Sequence, residues 1–311
     1  MVDMVIVMVI PITERYYRHL NIPSGDLRIS ITSACNMRCV YCHNEGQMLE
    51  NCFMEKSMIF SIVSQSLKYG VHKVRLTGGE PLLHPDIVDI CIGLKKMPGV
   101  NNLGLNTNGL EKKKLFDLAS LKLLDQVVVG IDYFDGVVSK NSPIGKSSKE
   151  VLDTVLELKK MGVNVQLTTV FTNNKEDVYK MVEWCLKQGI LLKVLERCTP
   201  LSECNDYSSV DYDMLIEELL EKFDLRKGIT ADLNEFYGYN EKKGKVLFFQ
   251  SHCNRKQCDT CSRLHMRITS NYMAKPCLQR SDTEFPLFPD FDDSMKRAIV
   301  NLGNGPDNPV L

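Results

Sequence analysis

Short β-rich runs alternate with longer segments of helical period through the first two thirds of the chain, and this alternation constrains the fold more than any other feature. The runs Leu27 to Thr32 and His72 to Thr77 have strand character, whereas Glu55 to Tyr69 and Ser148 to Met161 repeat apolar residues at helical spacing. Such alternation is typical of parallel βα units. The chain is predicted to be an α/β protein with about six such units in a partial (β/α)6 TIM-like barrel, with functional loops at the carboxyl ends of its strands.

The alternation continues to Leu195 and stops after Pro200. The other predicted strands are Asn102 to Asn106, Gln126 to Ile131, Asn164 to Val170 and Leu191 to Leu195, and the other predicted helices are Pro85 to Lys96, Lys112 to Leu123 and Lys175 to Gln188. A helix at Tyr212 to Lys222 and hairpin-like stretches at Lys245 to Gln250, Met266 to Thr269 and Met273 to Pro276 follow. We therefore expect a barrel domain over residues 1–200 and a small C-terminal domain over 201–311.

Charge and length exclude several classes of protein. The 311 residues carry 38 Lys and Arg against 39 Asp and Glu, a balance without the basic footprint of nucleic-acid-binding proteins. The apolar run Met1 to Ile10 is much shorter than the roughly 20 residues of a membrane-spanning helix, and no basic region precedes it. We expect a cytoplasmic protein with no nucleic-acid or membrane partner.

Seven of the twelve cysteines fall into two clusters. Cys35, Cys39 and Cys42 form the first, and Cys253, Cys258, Cys261 and Cys277 form the second. A chain of this size without an export signal builds its own core and keeps its thiols reduced, so disulfides are not expected. Clustered thiols instead predict metal binding.

The first cluster directly follows the first predicted strand. Three thiolates cannot fully ligate four irons, so a cubane held by Cys35, Cys39 and Cys42 keeps one iron open to a small molecule. Zinc is the alternative, because Cys-x-x-Cys pairs often bind it and His43 would complete a set of four ligands.

Cys-x-x-x-Cys-x-x-Cys, with the aromatic Tyr41 before the last cysteine, resembles the hallmark of the radical S-adenosylmethionine (radical SAM) superfamily. The resemblance implies an enzyme in which a [4Fe-4S] cluster binds the methionyl amine and carboxylate of S-adenosylmethionine at its open iron. One electron, from an external donor such as flavodoxin or ferredoxin, then cleaves a carbon–sulfur bond to give a 5′-deoxyadenosyl radical. The cofactors supply the chemistry and the protein positions them.

Further motifs at strand ends match the same family. Thr77-Gly78-Gly79-Glu80-Pro81 follows the second strand and resembles the family's site for the methionyl amine, with Glu80 as the partner of the ammonium group. On its own, such a sequence is most often a turn. The resemblance also implies cofactor contacts for Tyr41, Thr107, Asn108 and Asp132, the last three of which are otherwise ordinary turn residues.

The second cysteine set, with Cys258-x-x-Cys261-Ser262-Arg263 and Lys275-Pro276-Cys277, resembles the C-terminal segment of the GTP 3′,8-cyclase family. It implies an auxiliary [4Fe-4S] cluster in a twitch- or SPASM-like domain, with Cys253 as a possible fourth ligand; a structural zinc knuckle is the alternative. Arg28, Arg75 and Arg263 match family positions that contact the nucleotide triphosphate, and guanidinium groups suit phosphate.

Other positions depart from the cyclase pattern. Gln166 stands in place of a lysine, His265 in place of an arginine and Gly130 in place of a serine, and no glycine pair ends the chain, whose last residues are Pro309-Val310-Leu311. We therefore expect a polar small-molecule substrate of nucleotide or sugar type other than GTP. GTP cyclisation, peptide maturation and a non-catalytic metal-binding role remain open.

Overall fold

Six parallel strands form the centre of the computed structural model, which describes residues 22, 25–39, 41–46, 51–136, 147–197, 210–229, 235–250, 265–278 and 280–304. These strands are β1 (Asp26–Ser30), β2 (Lys73–Thr77), β3 (Asn102–Thr107), β4 (Gln126–Gly130), β5 (Asn164–Phe171) and β6 (Leu191–Glu196). Each pairs in parallel with the next along the chain. The predicted succession of parallel βα units is confirmed.

Helices connect successive strands. They are α1 (Lys56–Ser66), α2 (Ile87–Lys96), α3 (Lys112–Ser120), α4 (Ser148–Lys160) and α5 (Lys175–Gln188). The Ser147 side chain caps α4 by accepting a hydrogen bond from the Lys149 amide. Helix α5 ends at Gly189, whose φ of 61° is left-handed, a conformation that glycine adopts without a steric penalty.

The central strands have one buried, largely apolar face and one half-buried face that carries more of the polar side chains. In β5, Val165, Leu167 and Phe171 are buried, whereas Gln166 and Thr168 alternate with them and are half-buried. Strands of parallel sheets are usually apolar on both faces, because helices cover both. Here helices pack on the apolar face, and the polar face is the inner face of the partial barrel, where we expect a ligand.

The C-terminal part of the chain adds strands to both edges of this sheet. It contains α6 (Val210–Lys222), β7 (Arg226–Ile229), β8 (Glu235–Asn240), β9 (Gly244–Phe249), β10 (Met266–Ile268), β11 (Met273–Ala274), β12 (Phe285–Pro286) and α7 (Phe291–Asn304). Strand β9 pairs in parallel with β6, and β10 pairs in parallel with β1.

The strands predicted near residues 245, 266 and 273 are confirmed, whereas β7, β8, β12 and α7 were not predicted. The domain boundary near residue 200 stays a prediction. None of the helices that the structure describes combines the length and apolarity needed to cross a bilayer.

Candidate functional site

The cysteine loop, residues 31–46 except for Val40, leaves the carboxyl end of β1. Its start is fixed by residues 52 and 53: Thr32 Oγ1 donates to the Cys52 carbonyl at 2.6 Å, and the Cys52 amide donates to Ser33 Oγ at 3.0 Å. Thr32 also forms an isolated antiparallel bridge with Phe53. The loop that carries the first cysteine set is therefore anchored before Cys35.

Backbone amides face the sulfur atoms of this loop. The Met37 amide donates to Cys35 Sγ at 3.3 Å, and the Asn44 amide donates to Cys42 Sγ at 3.3 Å. Cys35 and Cys42 are exposed, Cys39 is half-exposed, and all three are free thiols. Amide donors of this kind stabilise thiolates that ligate iron–sulfur clusters. The donor set fits a cluster held by three cysteines.

Among the described residues, no three His, Cys, Asp or Glu side chains converge on a position suited to a single metal ion. A cubane differs from a single ion in that its thiolates are distributed over several irons.

The Gly78–Gly79 segment lies directly against the cysteine loop. The Gly79 amide donates to the Thr32 carbonyl at 2.8 Å, and the Glu80 amide donates to the Ala34 carbonyl at 2.7 Å. A Cβ atom on Gly79 would lie 2.3 Å from the Ala34 carbonyl oxygen, and one on Gly78 would lie 2.2 Å from that of Thr32. Both glycines are thus required for the approach of two backbones, a role that sequence reasoning did not assign.

Glu80 is 1% exposed and accepts three hydrogen bonds. Its Oε1 accepts from the Leu82 amide at 3.0 Å and from Thr107 Oγ1 at 2.8 Å, and its Oε2 accepts from the Asn108 amide at 2.8 Å. Burial raises the pKa of Glu80 to about 7, although these donors favour the ionised form. A buried carboxylate with this pKa is suited to receive a cationic group.

Thr107 and Asn108 therefore contact Glu80. Asn108 also connects β3 to the cysteine loop, because its Nδ2 donates to Asn36 Oδ1 at 2.7 Å. Asn36 Nδ2 in turn donates to Glu111 Oε1 at 3.3 Å. The ends of β1, β2 and β3 thus meet in one hydrogen-bonded network beside Cys35.

A hydrogen bond brings together Tyr41, in the cysteine loop after β1, and Asp132, which follows β4. The Tyr41 hydroxyl donates to Asp132 Oδ2, and the Val170 amide donates to Asp132 Oδ1 at 3.1 Å. Burial raises the pKa of Asp132, although both hydrogen bonds lower it. Asp132 holds the cysteine loop against the ends of β4 and β5.

Four cations lie on strands of the inner face. Arg28 is on β1, Arg75 on β2, Lys193 on β6 and Arg267 on β10, and we refer to them together as the lumen cations. Arg75 Nη1 donates to Asn106 Oδ1 at 3.4 Å, and its guanidinium passes over Gly104 at 3.5 Å from the position of a Cβ atom. Arg28 Nε is buried and has no hydrogen-bond partner among the described residues.

Two carboxylates accompany the lumen cations. Asp26 Oδ2 lies 3.9 Å from Arg75 Nε, and Glu45 Oε2 lies 3.1 Å from Arg267 Nε. Burial raises the pKa of Glu45, but Arg267, His43 and Arg28 outweigh this effect, so its pKa is lowered. Neither Glu45 nor Lys193 was a predicted site residue, because neither belongs to a motif. Buried and half-buried side chains alternate along β6, and this pattern could have placed Lys193 on the inner face.

Part of the predicted site lies outside the described residues. This applies to Cys253, Cys258, Cys261 and Arg263. Cys277 is described, is half-buried and packs against the hydrophobic core. Arg267 Nη1 donates to the carbonyl of the neighbouring Pro276 at 3.3 Å. Arg28 and Arg75 both lie on the inner face, and their contact with a substrate stays a prediction.

A family model described as the radical SAM superfamily matches residues 29–185, which include the cysteine loop, the Gly-Gly-Glu turn and β2 to β5. The chain belongs to the radical SAM superfamily. It is a radical SAM enzyme, and its family uses a [4Fe-4S] cluster and S-adenosylmethionine.

Relatives named "Probable GTP 3′,8-cyclase" resemble most of the chain. The relative from Methanococcus aeolicus is 29% identical over 90% of this chain and 90% of its own, and that from Saccharolobus solfataricus is 30% identical over 84% of each. Streptococcus suis SuiB, solved with the precursor peptide SuiA, shares the fold with a TM-score of 0.69. The two sequences are 17% identical, and the superposition covers 92% of this chain and 68% of the SuiB chain. The predicted α/β fold class is confirmed.

Proposed function

We propose that this radical SAM enzyme acts on an anionic small molecule of nucleotide or sugar-phosphate type, bound on the inner face by the lumen cations. The observation that carries the proposal is the concentration of Arg28, Arg75, Lys193 and Arg267 on one polar face next to the cysteine loop. These four cations are accompanied by the carboxylates Asp26 and Glu45.

The charge balance explains why an anion is the expected ligand. Buried like charges repel one another strongly because the protein interior screens them poorly. Arg28 lies close enough to Arg75 and Arg267 to lower the pKa of both guanidinium groups, and its buried Nε has no hydrogen-bond partner in the described part of the chain. A phosphorylated substrate supplies both the missing charge and the acceptor atoms, and arginine binds phosphate through paired donors.

The site residues are assigned roles from their positions. Cys35, Cys39 and Cys42 hold the cluster, and Glu80, supported by Thr107 and Asn108, receives the methionyl ammonium group. Gly78, Gly79, Tyr41 and Asp132 shape the cofactor site by fixing the cysteine loop. When bound and reduced by one electron, the cluster and S-adenosylmethionine supply a 5′-deoxyadenosyl radical that abstracts hydrogen from the substrate. The barrel orients the target C–H bond and excludes water.

The auxiliary cluster and the electron donor complete this proposal. Cys258, Cys261 and Cys277, with Cys253 as a candidate fourth ligand, are assigned to a second [4Fe-4S] cluster, and Arg263 is assigned to the substrate. Flavodoxin or ferredoxin is the proposed source of electrons. Zinc in the second cysteine set is the alternative that metal analysis would reveal.

GTP cyclisation is the second candidate function, favoured by the relatives named "Probable GTP 3′,8-cyclase" over 84–90% of this chain. The lumen cations suit a triphosphate. Gln166, Gly130 and His265 depart from the pattern of that family, which favours a related anionic substrate.

Anaerobic reconstitution followed by iron and sulfide counting tests the cofactor assignment. We expect about eight irons per chain for two four-iron clusters, and dithionite-dependent formation of 5′-deoxyadenosine. Cys35→Ala should abolish that product, whereas Cys91→Ala, which removes a thiol buried in the core, should retain it. About four irons with product retained would remove the auxiliary cluster, and zinc without product would overturn the cofactor assignment.

Incubation with GTP and other nucleoside phosphates tests the substrate class. We expect an anionic nucleotide to stimulate 5′-deoxyadenosine formation, and Arg28→Ala or Arg75→Ala to raise the KM for it. Lys113→Ala, on an exposed position of α3, is the matched control and should leave the KM unchanged. A product with the mass of GTP would favour cyclisation. Stimulation by uncharged sugars or peptides alone would contradict the anionic-substrate proposal.

A further inference from the structure

His265 lies at the start of β10, among the lumen cations. Positive charges on four different strands act on its ring: Arg28 of β1, Arg75 of β2, Lys193 of β6 and Arg267 of β10. Its Nε2 atom is buried and has no hydrogen-bond partner in the part of the chain that the structure describes. Within the inner face, this ring is therefore a polar group that still has a hydrogen bond to form.

The charged surroundings of His265 determine the protonation state of its imidazole in the free enzyme. Burial lowers the pKa of His265 well below its ordinary value, and the lumen cations lower it further. The carboxylates that accompany the lumen cations, Glu45 and Asp26, are engaged with Arg267 and Arg75. The pKa of His43 is also lowered, by desolvation and by Arg267 and Arg28, although Glu45 raises it. His265 is thus neutral at pH 7 and adds no charge to a face that already carries four cations.

A bound anion reverses this balance. Phosphate oxygens placed between the lumen cations would neutralise their field, and they accept hydrogen bonds but donate none when ionised. A negative charge close to an imidazole favours its protonated form, in which both ring nitrogens are donors. His265 Nε2 would then donate a hydrogen bond to the bound anion, and the negative charge of the anion would compensate the positive charge of the imidazolium.

We infer that His265 is a substrate-binding residue that takes up a proton from solvent when an anionic group of the substrate binds, and then donates a hydrogen bond to that group from Nε2. This inference rests on the proposed anionic substrate. The exchange balances as a neutral imidazole, a solvent proton and the anion giving an imidazolium–anion pair, without any redox step. A permanently charged residue would bind the anion without taking up a proton.

Calorimetry in buffers of different ionisation enthalpy measures this proton uptake directly. The probes are GTP and inorganic triphosphate, titrated separately into the anaerobically reconstituted enzyme between pH 6.5 and 8. We expect wild type to take up about one proton more than His265→Arg does on binding. The affinity of wild type for each probe should therefore fall, relative to that of His265→Arg, by up to about tenfold for each unit by which the pH is raised. His265→Gln should bind more weakly than wild type at pH 6.5 and take up no additional proton.

Two controls isolate His265. Comparing all variants with the same probe removes the titration of the ligand's own terminal phosphate, whose pKa is about 6. His72→Gln removes a histidine that precedes β2 and whose Nδ1 lies 3.0 Å from the Gly70 carbonyl, and it should keep the proton uptake of wild type. The conservative replacement by arginine should restore tight binding at pH 8, which a loss of folding would not do.

The outcomes separate this inference from the proposal on which it rests. If wild type took up no more protons than His265→Arg on binding either probe, or if His265→Gln took up the same excess as wild type, the role of His265 would be overturned and the anionic substrate would stay intact. Failure of both probes to bind, or binding that Arg28→Ala and Arg75→Ala do not weaken, would overturn the anionic-substrate proposal and this inference together.

Discussion

Arg267 Nε lies 3.1 Å from Glu45 Oε2, and this ion pair joins β10 to the segment that follows Cys42. The two side chains are only 12% and 13% exposed, and Thr77 Oγ1 donates to the second oxygen of Glu45 at 3.1 Å. Through one carboxylate, the C-terminal part of the chain, the cysteine loop and the end of β2 are connected. The pair therefore positions the cysteine loop.

Arg267→Met should destabilise the protein strongly, because it leaves the carboxylate of Glu45 buried without its cation. Removing one partner of such a buried pair costs roughly 3 kcal/mol. We expect a loss of that order in the free energy of unfolding, to be measured by urea denaturation at pH 7. The pKa of Glu45 is lowered in the folded protein, so the stabilisation exists above its ordinary value of 4.5 and is lost as the pH falls through the lower folded value. The difference between wild type and variant should shrink in that acidic range.

The matched control is Lys56→Met, which breaks a surface ion pair with Asp89 whose side chains are 37% and 62% exposed. Such pairs contribute at most about 1 kcal/mol. The double variant Glu45→Gln/Arg267→Met should recover part of the lost stability, since it leaves no unpaired charge. Equal losses for Arg267→Met and Lys56→Met would contradict this account of the pair.

Gly79→Ala should separate the Gly-Gly-Glu turn from the cysteine loop. The added Cβ would lie 2.3 Å from the Ala34 carbonyl oxygen and 2.6 Å from that of Ser33, and backbone atoms cannot move aside as a flexible side chain can. We expect a loss of at least about 2 kcal/mol in the free energy of unfolding, as for other severe steric changes. Iron bound after reconstitution should fall as well.

Gly130→Ala is the matched control for Gly79→Ala. Its Cβ would meet only the Thr107 carbonyl, at 3.9 Å, which is an ordinary contact. That variant should keep the stability and iron content of wild type. If Gly79→Ala also kept both, the close approach of the two backbones would not be what requires glycine here.

The succession of βα units was predictable from sequence because each unit has its own local signal. The alternation in β5 and the glycine that ends α5 are both visible in the residues themselves. Helix α7 was missed, although its first turn contains Asp292 and Asp293, because the strand before it, β12, has only two residues and gives no local signal of a βα unit. Strands β7 and β8 were missed because their pairing partners, not their own patterns, define them.

Contacts between motifs were the less predictable part of the site. The sequence located Tyr41 and Asp132 separately as candidate cofactor contacts, but their hydrogen bond joins positions 91 residues apart. The glycines of the Gly-Gly-Glu turn were expected to approach a ligand, whereas they approach the backbone of the cysteine loop. Such relationships depend on how strand ends converge in three dimensions, which no local pattern encodes.

Tyr41→Phe should loosen the cysteine loop without unfolding the barrel. The variant removes the donor to Asp132 Oδ2, and a buried acceptor that loses its partner costs about 1–3 kcal/mol. Hydrogen exchange should accelerate for the amides of Cys39 and Cys42, while amides in β3 and β4 keep their protection. Tyr239→Phe, at a 38% exposed position of β8, is the matched control and should change neither. Unchanged exchange in Tyr41→Phe would show that Asp132 does not restrain the loop.

The affinity for S-adenosylmethionine should depend on the ionisation of Glu80. Burial raises the pKa of this carboxyl to about 7, so below that pH it is protonated in the free enzyme and must release a proton to receive an ammonium group. We expect the Kd, measured by calorimetry on the reconstituted enzyme, to rise by up to about tenfold per pH unit as the pH falls below 7. Above pH 7 the Kd should level off.

Glu80→Gln should weaken binding at pH 8 and flatten this pH profile, because the amide carries no charge and does not titrate. Glu157→Gln, which alters a 48% exposed carboxyl on α4, should retain the profile of wild type. The stability of the cofactor-free protein should change in the opposite sense with pH: a raised folded pKa stabilises the protein below pH 4.5, and this contribution is lost as the pH rises towards 7. A pH-independent Kd in wild type would mean that Glu80 is not the group that receives the ammonium.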